Sequence, residues 1–113
     1  MKDDHERTAA DVAGQLVALY EQPFGGKRRG RYRIAMKLMR QLLGVRRVWP
    51  DQIEAIRRAL YQQGFVLLDM ETYFTVVSQQ TFSSYRRVNE SSLWRLPDAP
   101  PPPSADDLDE AAE

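Results

Sequence analysis

Residues 50–78, PDQIEAIRRALYQQGFVLLDMETYFTVVS, carry the change of period that decides the fold class. In the first half Ile53, Ile56, Ala59 and Leu60 return at the three- and four-residue spacing of one helical face, which predicts a helix over 50–63. Pro50 suits the first helical position, where its missing N–H is no loss, and Gly64 suits the exit. The outer face then holds Gln52, Glu54, Arg57, Arg58, Tyr61 and Gln62. Beyond Gly64 the helical period stops. The runs 65–69 and 73–78 are rich in Val, Leu, Phe, Tyr and Thr, and the polar link Met70, Glu71, Thr72 between them predicts a β-hairpin.

Working toward the N-terminus, Ile34, Leu38 and Leu42 with Met39 and Leu43 predict a second helix that ends at Gly44. The alternation of Arg31, Tyr32, Arg33 and Ile34 just before it allows a short strand. Pro23, Gly25, Gly26 and Gly30, interleaved with Lys27, Arg28 and Arg29, read as a flexible, exposed cationic loop. A first helix is predicted over 8–21, with Val12, Leu16, Leu19 and Tyr20 on one face, a Thr8/Asp11 capping box at its start and Pro23 beyond its end. Toward the C-terminus, 81–88 is expected as a short helix with Phe82 and Tyr85 facing inward. Leu93, Trp94 and Leu96 are expected to fold back over the core. From Pro97 onward the chain changes material: Pro100, Pro101, Pro102 and Pro103 favour an extended polyproline spacer ahead of the acidic segment that begins at Asp106. The expected organisation is therefore a small α+β domain over 1–96, three helices plus a β-hairpin, followed by a disordered Pro-rich acidic tail over 97–113.

The 113 residues suffice for one modest core, and the 42% hydrophobic content, with five Tyr, four Phe and two Trp, is that of a folded chain. Cysteine is absent, which removes disulfides, thiolate metal sites and thiol nucleophiles together. The single histidine, His5, lies close to the N-terminus, so neither a thiol–imidazole pair nor a zinc site of histidine and cysteine can be assembled in the core. Asp51, Glu54, Asp69 and Glu71 are the acids between Pro23 and Val88, and no lysine follows Lys37, so an acid–acid–lysine nuclease cluster in its usual order is missing. Gly25, Gly26 and Lys27 do not form a phosphate loop, because Glu21 stands where the first glycine is required. A non-enzymatic protein without a cofactor is expected. No signal-peptide pattern or membrane-span length is seen, which makes a cytoplasmic setting without membrane contact the default.

The net charge of zero conceals a segregation. Residues 1–22 carry two basic and five acidic side chains, 23–64 eleven and two, 65–96 three and three, and 97–113 none and six. The middle block is strongly cationic and Arg outnumbers Lys there by nine to two, which suits planar recognition of phosphates and base edges. A block of this size is large enough for about six to ten phosphate contacts and hence for salt-sensitive binding of duplex DNA.

The predicted order over 8–78, namely helix, short strand, helix, helix and two strands, resembles that of a winged helix-turn-helix DNA-binding domain. The resemblance implies that the third helix enters the major groove and that the hairpin lies beside the flanking backbone. Carried over by position, the groove-facing residues are Gln52, Arg57, Arg58 and Tyr61, and Lys27, Arg28, Arg29, Arg31, Arg33, Lys37, Arg46 and Arg47 complete the expected DNA-contacting set. The 44–49 connection is longer than the family's usual turn, and the hairpin tip carries Asp69 and Glu71 without a base. The implied role is that of a small transcriptional regulator or DNA accessory factor. One domain of this size offers little specific contact area, which favours a homodimer on DNA.

Competing readings stand beside these. Arg57 and Arg58 are equally well explained as a solvated helix face on which Glu54 pairs with Arg58 four residues on. Tyr32, Trp49 and Tyr61 suit core packing better than base stacking, and Trp94 suits a lid over the core. The acidic tail either keeps the chain soluble or folds over the basic block as an intrachain polyanion. The alternative to DNA binding is a protein–protein adaptor in which the basic face meets an acidic partner; RNA binding through the glycine- and arginine-containing loop is a third reading.

Overall fold

A computed structural model describes residues 7–99; the 100–113 part of the expected tail lies outside the described residues. The first helix, α1 (Ala9–Glu21), starts as its sequence predicts. The Thr8 hydroxyl accepts from the Asp11 backbone N–H at 3.1 Å and the Asp11 carboxylate accepts from the Thr8 N–H, so two otherwise orphaned donors are satisfied. It ends at Gln22, whose extended backbone is the conformation a following proline imposes. The chain returns through a tight turn into β1 (Tyr32–Ala35), passes directly into α2 (Met36–Leu43), and crosses 44–49 to α3 (Pro50–Gln62). The hairpin strands β2 (Phe65–Asp69) and β3 (Tyr73–Ser78) follow, then a 3-10 helix (Gln79–Ser84) and α4 (Glu90–Trp94).

The architecture is α+β: three helices cover a three-stranded antiparallel sheet of order β1-β3-β2. β3 is central, pairing Ile34 with Phe74 on one side and Leu67 with Val76 on the other. Alternation sends Tyr32, Ile34, Leu67, Phe74 and Val76 to the helix side, where they meet Val12, Ala13 and Leu16 of α1, Met39 and Leu43 of α2, and Ile56 and Leu60 of α3. No charged side chain is buried among the described residues. Inside this core the Tyr32 hydroxyl donates to the Leu16 carbonyl at 2.5 Å, and burial pushes its phenol well above the ordinary range, so it stays a donor.

Four expectations are corrected. Ile34 belongs to β1 and not to the second helix, because its partner is Phe74 across the sheet; the inward stripe of α2 is consequently Met36, Met39, Leu42 and Leu43, and Leu38 is exposed. The 81–88 stretch is not an α-helix: the 3-10 turn ends at Ser84, Phe82 is half-buried, and Tyr85 stands exposed with its ring edge-on to Phe82 at 5.2 Å. Leu93, Trp94 and Leu96 form no lid and remain exposed. The 24–30 loop is tied down at several points and is not a free coil, as described next.

Candidate nucleic-acid interface

The cationic loop is built on a two-residue turn. Phe24 and Lys27 exchange backbone hydrogen bonds of 3.0 and 3.1 Å, which requires Gly25 and Gly26 at φ of 59° and 81°, a left-handed pair that other residues adopt only with strain. Behind the turn, the Gly30 N–H donates to the Tyr20 carbonyl at 2.9 Å, and the Phe24 ring meets Tyr32 edge-on at 5.7 Å. Arg29 is held by the Glu21 carboxylate at 2.6 Å and lies 5.9 Å from the Tyr20 ring centre. Arg33, on the outward face of β1, lies 5.5 Å from the Tyr73 ring centre on the neighbouring strand. Lys27, Arg28 and Arg31 are exposed, and none of them, nor Arg33, has a carboxylate partner among the described residues.

A second group gathers around the start of α3. Arg46 and Arg47 are exposed in the 44–49 connection, and Arg47 stacks over the Trp49 ring at 4.3 Å. Trp49 is 51% exposed, so its indole is a surface feature and not the core residue its size suggests. Gln52 is half-buried and already engaged: its side-chain carbonyl accepts from the Trp49 N–H at 2.7 Å, closing the start of the helix. It is therefore a helix cap and not a free base reader. Arg57 and Arg58 are exposed on the outer side of α3 and share Glu54. The Arg57 Nε donates to it at 2.8 Å, a second Arg57 nitrogen donates to the same carboxylate, and the Arg58 Nε donates at 3.1 Å. Hydrogen bonding from Arg57 above all, with help from Arg58, holds the Glu54 carboxyl down at about 2. Tyr61 is 59% exposed next to these arginines, on the outer face where the helical period places it, and the competing core-packing reading does not hold. Lys37 is exposed on the first turn of α2, near the hairpin turn that α2 touches through the Met36 N–H and the Thr72 carbonyl.

The two groups sit at opposite ends of α1. The loop group adjoins its C-terminal end through Tyr20, Glu21 and Gln22. The α3 group adjoins its N-terminal end, where Ala9 and Ala10 line a shallow depression together with Glu54 and Arg58, and where the Arg7 N–H meets the Leu43 carbonyl at the close of α2. At about 1.5 Å per residue the thirteen-residue α1 is roughly 20 Å long. Nine of the eleven cations of the middle block thus fall into two groups, while Lys37 and Arg40 stand on α2. Phe24 and the Arg47–Trp49 stack are exposed features that periodicity did not single out. The available signal was their position beside glycines or beside a helix start.

Comparison with known proteins adds no relative: no family model matches the chain, and neither the curated proteins nor the solved structures searched contain a match. Among the described residues there is no helix long and apolar enough to cross a membrane, and no group of three or more His, Asp or Glu placed to hold a metal ion.

Proposed function

We propose that the chain is a winged-helix module that binds duplex DNA without catalysing a reaction on it, with α3 as the groove-facing helix. The observation that carries this reading is topological. The order α1-β1-α2-α3-β2-β3 on an antiparallel β1-β3-β2 sheet leaves the outer side of α3 uncovered, with Arg57, Arg58 and Tyr61 exposed on it and the Arg47–Trp49 stack at its start. A helix presenting two guanidinia and a phenol fits the width of a major groove, and each guanidinium suits either a phosphate or a guanine edge. Gln52 drops out of the base-reading set because it caps the helix. Arg46 and Arg47 take the role of backbone contacts at its leading end.

The test is a fluorescence-anisotropy titration of a random-sequence 25-bp duplex (about two and a half turns) between 50 and 200 mM salt. A linear fall of log K with log salt is expected, each phosphate contact contributing about −0.9 to the slope, and Arg57→Ala with Arg58→Ala makes the slope shallower. A wild-type slope near zero removes the reading. A protein-docking role is favoured by one separate observation: Tyr85, Val88, Leu93 and Leu96 are exposed along a groove of about 790 Å³. Recovery of a stoichiometric partner from nuclease-treated extract, with no duplex binding, would decide for that role.

A further inference from the structure

We infer that the pocket formed by the 24–33 turn and the start of β1 is a phosphate-binding site for nucleic-acid backbone, a second anchor separate from the outer face of α3. This rests on the DNA-binding reading above and extends it to a place the topology does not require. The pocket has a volume of about 520 Å³, and its rim carries Phe24, Lys27, Arg29, Arg31 and Arg33. Four cationic side chains line this pocket, and the Glu21 carboxylate neutralises Arg29 alone. The remaining charge calls for an anion with several acceptor oxygens.

The backbone beneath these side chains is already ordered. The paired Phe24 and Lys27 amides, the Gly30 bond to Tyr20 and the Phe24–Tyr32 contact hold the turn against α1 and β1. Binding there would order side chains only, which keeps the entropic cost low. Phe24, 44% exposed at the pocket edge, offers an apolar surface to a deoxyribose or a base. The volume suits one or two nucleotides of a strand, and a whole duplex must lie across the pocket mouth.

The experiment is an amide-shift titration of the isotopically labelled full chain with a random-sequence 25-bp duplex (about two and a half turns) and, separately, with inorganic pyrophosphate, each repeated on the Lys27→Glu, Arg31→Glu double variant. Both side chains are exposed, so the variant's thermal midpoint should match wild type. The expected result is that amides of 24–33 move with both probes in wild type and with neither in the variant. The variant's salt slope for duplex is also shallower by about two contacts, while amides of α3 still respond to duplex. Duplex binding whose slope is unchanged in the variant, with 24–33 unmoved, overturns the second anchor and leaves the winged-helix reading standing. Pyrophosphate shifts without any duplex binding make the pocket a site for a small free phosphate compound, which overturns both the backbone assignment and the DNA reading.

Discussion

Glu54→Gln is the substitution that speaks most directly to how α3 works. In the native helix one carboxylate accepts from both Arg57 and Arg58, so the three side chains present a single net positive charge to any ligand. The amide keeps the shape and helix propensity of the glutamate but removes its charge, raising the net charge of the trio to two and freeing donors for phosphate. If one additional phosphate is neutralised, the slope of log K against log salt steepens by about 0.9; if both arginines gain one, by about 1.8. Between 50 and 200 mM salt that corresponds to an additional loss of affinity of about threefold to twelvefold, with tighter binding than wild type at the low-salt end. The assay is anisotropy of a labelled duplex at five salt concentrations. Because the ion pairs are exposed, the thermal midpoint should hardly move, which separates an interface effect from a folding effect. A slope identical to wild type, or weaker binding at low salt, would refute the idea that Glu54 competes with DNA for these arginines.

The same trio predicts a titration. The folded-state value of Glu54 near 2 lies below its ordinary 4.5, so its pairing is intact above pH 4.5 and is lost only as pH falls toward 2; carboxyl carbon shifts should show this, and Arg57→Ala should return the value toward 4.5. Phe74→Ala removes the largest fully buried side chain, on the central strand, and should cost about 3–5 kcal/mol in urea unfolding. Tyr32→Phe deletes the buried bond to the Leu16 carbonyl at unchanged ring packing, for about 1 kcal/mol by the same measurement. Gly26→Ala meets no atom within 4 Å but forces φ of 81° on an alanine, so a loss of about 1 kcal/mol with faster amide exchange across the turn is expected from the backbone alone.

Much of the fold was legible because it is written in local patterns. The 3.6-residue stripe of α3, the Thr8/Asp11 box, the proline at the start of α3 and the period-two runs of the hairpin each depend on neighbours within a few positions, and each element formed close to where it was read. Ile34 was misread because a single apolar residue satisfies a strand and a helix pattern equally well, and its partner, Phe74, is 40 positions away. Trp49 and Leu93 were misjudged for a related reason. Size and hydrophobicity favour burial, yet these side chains lie off the faces from which Leu16, Met39, Ile56 and Phe74 fill the core.

By itself the sequence determined the α+β class, the order of the elements as far as β3 and the concentration of cations in the middle third, since composition and periodicity need no third dimension. Only the tertiary structure decided what those cations do together. Charge adds up through space and not along the chain, and the 24–33 turn packs against the C-terminal end of α1 while Glu54 and Arg58 lie beside its N-terminal end. The division of one basic block into an ordered pocket and a separate helix face therefore follows from how the helices pack, and no local pattern in the sequence encodes it.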